Sequence, residues 1–65
     1  MYRLYDDLGV MCEGSLYACK NYILNWTKSS EGINTYKRRE LKAIYDYFKD
    51  LSGEGSFYGF TIEQE

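Results

Sequence analysis

Residues 36–51, YKRRELKAIYDYFKDL, form the longest run in the chain with a single period. Leu41, Ile44, Phe48 and Leu51 recur at spacings of three, four and three, which places them on one stripe of an α-helix. Tyr45 and Tyr47 flank that stripe, while Lys37, Arg38, Arg39, Lys42, Asp46, Lys49 and Asp50 fall mostly on the other side. One face is suited to burial and the other to water. A single helix cannot bury its own stripe, so the flanking segments have to supply the surface that covers it.

Upstream lies a second helical pattern. Leu16, Cys19, Ile23 and Trp26 repeat at helical spacing over residues 16–28, Ala18 and Tyr22 widen the stripe, and Ser15 is placed to cap the first turn with its hydroxyl. Tyr17 and Leu24 fall on roughly the opposite face, either under the second helix or exposed as a partner contact. Ser29-Ser30-Glu31-Gly32 reads as a loop, with Gly32 helping to end the first helix and Asn34 or Thr35 capping the second.

Strand signals occupy both ends. Tyr2 and Leu4 alternate with Arg3 and Tyr5, Asp6-Asp7-Leu8-Gly9 has turn composition, and residues 10–13 return, which predicts a β-hairpin. After the Ser52-Gly53-Glu54-Gly55-Ser56 turn, residues 57–63 read as a third strand, with Tyr58, Phe60 and Ile62 on one face and Phe57, Gly59 and Thr61 on the other. The expected fold is therefore α+β, in the order ββααβ, with two helices packed on one face of a three-stranded sheet. Its core is expected to comprise Leu4, Val10 or Cys12, Leu16, Cys19, Ile23, Trp26, Leu41, Ile44, Phe48, Leu51, Tyr58, Phe60 and Ile62. Such a sheet keeps open edges, through which a homodimer could form.

Composition narrows the chemistry. At 65 residues the chain is one domain, and a domain of this size buries only about 60% of its unfolded surface, too little to enclose a deep catalytic cleft. There is no histidine, no G-x-S-x-G pattern and no phosphate-binding glycine loop, so no enzyme and no cofactor are expected. Cys12 and Cys19 are too few for zinc and read as small buried hydrophobes of a reduced protein. No apolar run approaches membrane-spanning length and the N-terminus lacks a signal peptide's apolar core, so the expected location is cytoplasmic, without a membrane partner.

Charge and aromatic content suggest binding. Residues 1–33 carry a net −1, 34–51 a net +2 and 52–65 a net −3, so the long helix is the only basic segment. Lys37-Arg38-Arg39 opens that helix with the wrong sign for the positive end of its dipole, a mismatch of about 0.3–1 kcal/mol per charge. Eight tyrosines in 65 residues exceed what a small core can hide, and tyrosine is enriched at interfaces. The candidate anchors are Tyr5, Tyr17, Tyr36, Tyr45, Tyr47 and Phe57, with Lys37, Arg38 and Arg39 facing an acidic partner. Lys42 joins those three beside Tyr36 in the alternative of a nucleic-acid contact, against which the surrounding acids and a pI near 5.0 argue.

The hairpin run Tyr2-Arg3-Leu4-Tyr5-Asp6-Asp7-Leu8-Gly9, then Glu13-Gly14-Ser15-Leu16 and a closing aromatic-rich strand, resembles the small uncharacterised proteins of bacteriophages and mobile elements of Gram-positive bacteria. The resemblance implies an anti-CRISPR-like or other anti-defence inhibitor, which binds and blocks a host protein inside the host cell. It transfers no functional residues.

Overall fold

The N-terminal hairpin forms where the alternation predicts it. In the computed structural model, which describes residues 1–65, β1 (Tyr2–Asp6) and β2 (Gly9–Gly14) pair antiparallel. Asp6 fastens the turn between them: its Oδ1 accepts from the Leu8 N–H at 2.8 Å and the Gly9 N–H at 3.2 Å. Met11 is an extra residue in β2, because Leu4 lies opposite Cys12 and Tyr5 opposite Val10.

Ser15 caps α1 (Leu16–Trp26), accepting from the Ala18 N–H at 3.0 Å. The expected loop that follows is instead a helix, α2 (Ser30–Thr35). Ser29 begins it in the same manner, its Oγ accepting from the Gly32 N–H at 3.1 Å. Gly32 thus lies inside α2 and does not end α1, and Asn34 and Thr35 close α2 without capping the next helix.

The long helix, α3 (Arg38–Lys49), begins two residues after the start of the run 36–51 and ends two residues before its end, leaving Leu51 outside the helix. Lys37 occupies the cap position, where its side chain has no acceptor to offer; Glu40 reaches back and accepts from the Lys37 N–H at 2.8 Å. Glu40, the next residue in the chain, also puts a negative charge in the first turn, so the basic run Lys37-Arg38-Arg39 has a local compensation. Lys42 and Asp46 form an i,i+4 pair at 2.8 Å.

Residues 57–63 are two strands. β3 (Gly55–Phe57) and β4 (Phe60–Gln64) are joined by a two-residue turn in which Tyr58 has φ 52° and Gly59 φ 81°. Positive φ at both positions is the type I′ signature, whose twist matches paired strands. Phe57 therefore lies opposite Phe60 and shares its face, where a continuous strand would have put the two on opposite sides.

The sheet runs β2-β1-β4-β3, antiparallel throughout, so the closing strand joins beside β1. Leu4 and Ile62 pair across the centre, and α1 and α3 lie over them. Leu4, Cys19, Ile23, Ile44, Phe48, Phe60 and Ile62 make the core. Cys12, Leu16, Trp26 and Leu51 are half-buried at its margin, Leu41 is half-buried but does not pack against it, and Val10 and Tyr58 are exposed. Across the uncovered face, Val10, Tyr5, Thr61 and Ser56 stand in one row and Glu13, Arg3 and Glu63 in the next. One dry face and one wet face is the ordinary condition of an antiparallel sheet. At one edge, the short β3 is closed by Tyr47, whose hydroxyl accepts from the Ser56 N–H at 3.1 Å.

Candidate functional site

The hairpin tip, the end of α1, α2 and the Tyr58–Gly59 turn meet at one end of the molecule. Two hollows lie there, of about 330 and 280 Å³, and they share Asp6, Leu8, Trp26 and Glu31. Trp26, Tyr36 and Phe60 supply the aromatic floor of the larger one, with Tyr58 at its rim. The rings meet edge to face: Trp26 and Tyr36 have centroids 6.0 Å apart at 70°, and Tyr36 and Tyr58 5.8 Å apart at 79°. Val10, Met11 and Tyr22 line the smaller hollow.

Two residues here depart from what folding alone requires. Leu8 is 96% exposed at the tip of a hairpin, where nothing can cover it. Tyr58 is the one non-glycine residue at positive φ, a conformation that asparagine or glycine would adopt with less strain. It is held by its ring contacts to Tyr36 and Phe57.

Of the residues selected from sequence, only Tyr36 enters these hollows. Tyr5 stands half-buried on the open sheet face, its hydroxyl donating to Glu63 Oε2 at 3.2 Å. Tyr47 stacks on Phe57 at 4.7 Å and 11° while holding β3, so both rings are engaged inside the fold. Tyr45 lies beneath Lys28, whose Nζ is 5.1 Å from the ring centroid. Lys37, Arg38 and Arg39 are exposed at the start of α3, and Lys42, held above its ordinary pKa by the Asp46 hydrogen bond, lies one turn on. Tyr17 is 74% exposed elsewhere, beside a hollow that it lines with Leu16, Lys20, Asn21, Leu24 and Lys49. The ten residues therefore do not converge on one surface.

Leu8, Trp26, Tyr58 and the acids Asp6, Asp7 and Glu31 were not selected. Leu8 carried a usable signal, since an apolar residue between Asp7 and Gly9 in a hairpin turn has nowhere to be buried. Trp26 and Tyr58 read as core on periodicity, and only the split of the last strand moves Tyr58 outward.

The thiols form a separate pair. Cys12 and Cys19 are free, and the Cys19 Sγ–H points to the Cys12 carbonyl at 3.8 Å. Burial, reinforced by the neighbouring Cys12 thiol, pushes Cys19 from 9.0 up to about 11. The folded protein thus keeps this thiol neutral where the unfolded chain would ionise it. That contribution to stability is complete below pH 9 and is lost as pH rises towards 11. We expect the unfolding free energy from urea titration to fall across this interval by up to about 1.4 kcal/mol per pH unit from this group. A smaller slope in Cys19→Ala identifies its source; an unchanged slope assigns the loss to other groups.

No cluster of three or more His, Cys, Asp or Glu side chains is arranged to hold a metal ion, and no helix is long and apolar enough to cross a membrane. Comparison with family models, curated proteins and solved structures gives no match.

Proposed function

We propose that the chain is a non-catalytic protein-binding module that presents the rim of the two adjoining hollows to its partner. The observation that carries this reading is the exposure of Leu8 and Tyr58 around an aromatic floor. Exposed apolar side chains beside a concave surface are the usual anchors of a protein contact. Strain at Tyr58 supports it further, because the turn needs positive φ there but does not need a tyrosine, which asparagine or glycine would replace with less strain. In the form that the phage-protein resemblance implies, the partner is a host defence protein, blocked by occupation of its surface. A nucleic-acid role would depend on Lys37, Arg38, Arg39 and Lys42, none of which lines the hollows.

The test separates binding from folding. Leu8→Asn removes an anchor from a turn that tolerates asparagine, and Tyr58→Asn creates the Asn-Gly pair that type I′ turns favour. Both variants are expected to melt at or above the wild-type midpoint. Each should nevertheless bind the protein that the wild type captures from bacterial lysate at least about tenfold more weakly. Tyr17→Ala, on a different face, should bind normally. If Tyr17→Ala loses binding while Leu8→Asn retains it, the working surface lies on the helices and this assignment is wrong.

A further inference from the structure

The charge around these hollows is one-sided. Asp6, Asp7 and Glu31 line the larger one, Asp6 and Glu31 recur in the smaller, and neither contains a lysine or arginine, although the chain has eight. The salt bridges of the fold engage other acids: Arg3 pairs with Glu13 and Glu65, and Lys42 with Asp46. Asp6 commits Oδ1 to the turn and leaves its second oxygen free.

The aromatic rings answer the same chemistry. Trp26, Tyr36 and Tyr58 stand at successive steep angles, so they form the corner of a box more than a flat plate. A cation over such faces is attracted by the ring quadrupoles, and carboxylates at the rim add direction and specificity. The fold already uses the first of these contacts once, in Lys28 over Tyr45.

We propose that the occupant of this groove is a lysine- or arginine-bearing segment of the partner protein, its cationic side chain seated against Trp26, Tyr36 and Tyr58 and facing Asp6, Asp7 and Glu31. This rests on the protein-binding reading and gives that surface a ligand class. Leu8 covers the aliphatic stem of the side chain, which long basic residues bury while the charged head stays polar-bonded. The acidic lining disfavours nucleic acid and anionic lipid at the same place.

The probes are capped peptides, acetyl-Ala-Lys-Ala-Lys-Ala-amide with its arginine and glutamate counterparts, titrated into 15N-labelled protein. The lysine or arginine peptide should shift the Trp26 indole N–H and the Leu8 and Gly59 amides saturably at up to about 10 mM, as expected of a short ligand. The glutamate peptide should leave them in place. An Asp7→Asn/Glu31→Gln double variant should bind the basic peptide up to about tenfold more weakly, the scale of two solvent-exposed charge contacts. Equal shifts with the glutamate peptide, shifts confined to another face, or no shift at about 10 mM would each overturn the assignment. If no shift occurs while Leu8→Asn still abolishes capture of the partner, the protein-binding reading stands and the basic occupant is wrong. A concentration-dependent dimer in sedimentation velocity that disappears in Leu8→Asn would give the groove to a second copy of this chain, and would also overturn it.

Discussion

Replacing Phe48 by alanine is expected to remove most of the stability of this domain. Phe48 is fully buried on α3 and belongs to the cluster that joins α1, α3 and the two central strands. Truncating a buried phenylalanine costs about 3–5 kcal/mol, the lost transfer free energy plus the cavity left behind. At roughly 0.05–0.15 kcal/mol per residue, a chain of this length has about 3–10 kcal/mol in all. The variant should therefore melt roughly 15–30 °C below the wild type by far-UV circular dichroism, or show no cooperative transition. Phe48→Leu keeps most of the volume and should cost no more than about 1.5 kcal/mol. A Phe48→Ala protein melting within a few degrees of the wild type would mean that α3 is not held to the sheet through this residue.

The same residue shows what could be read in advance. Phe48 belongs to the one strong period in the chain, and periodicity is a statement about which face is buried, so Ile44 and Phe48, like Cys19 and Ile23 on α1, were recognisable as core. The α+β class and the N-terminal hairpin followed from equally local signals. The failures occurred where a tertiary contact overrides a local one. Ser29-Ser30-Glu31-Gly32 has loop composition, yet Ser29 can begin a helix as well as end one, and the close packing of Gly32 on α1 favours the former. Residues 57–63 alternate like one strand because Tyr58, Phe60 and Ile62 recur at every second position; the turn depends on Gly59 and on a tyrosine in a conformation rarely assigned to tyrosine.

The candidate site was less legible for a related reason. Counting tyrosines identifies side chains capable of forming interfaces but not those already engaged within the fold. Tyr47 and Phe57 stack on one another, and Tyr47 also closes a sheet edge. The hollows gather residues far apart in sequence, from Asp6 to Phe60. Their common acidity is invisible in segment charges, since Asp6, Asp7 and Glu31 are diluted by the bases of the N-terminal half. Only the topology, with β4 beside β1 and α2 inserted before α3, brings them together.

Gly32→Ala is the second substitution expected to have a large effect, and its sign separates two physical accounts. Helix propensity alone predicts stabilisation by up to about 1 kcal/mol, because Gly32 lies within α2 at negative φ. Packing predicts the reverse. A Cβ at this position would lie 2.4 Å from the Trp26 carbonyl oxygen and 3.3 Å from its carbon, both backbone atoms at the end of α1. That oxygen cannot retreat freely, since it accepts from the Ser29 N–H at 3.0 Å and the Ser29 Oγ–H at 2.6 Å. Accommodating one methyl group means moving α2 off α1, which weakens both hydrogen bonds and displaces Glu31 and Tyr36 at the hollows. Overpacking of this kind costs about 1–3 kcal/mol or more, so the thermal midpoint should fall by roughly 10 °C. Gly53→Ala is the matched control, with nothing within 4 Å of its Cβ and no positive φ, and should remain within about 0.5 kcal/mol of the wild type. If Gly32→Ala is instead the more stable protein, α2 does not pack on the end of α1 as described, and the floor of the groove, which depends on that contact, has to be redrawn.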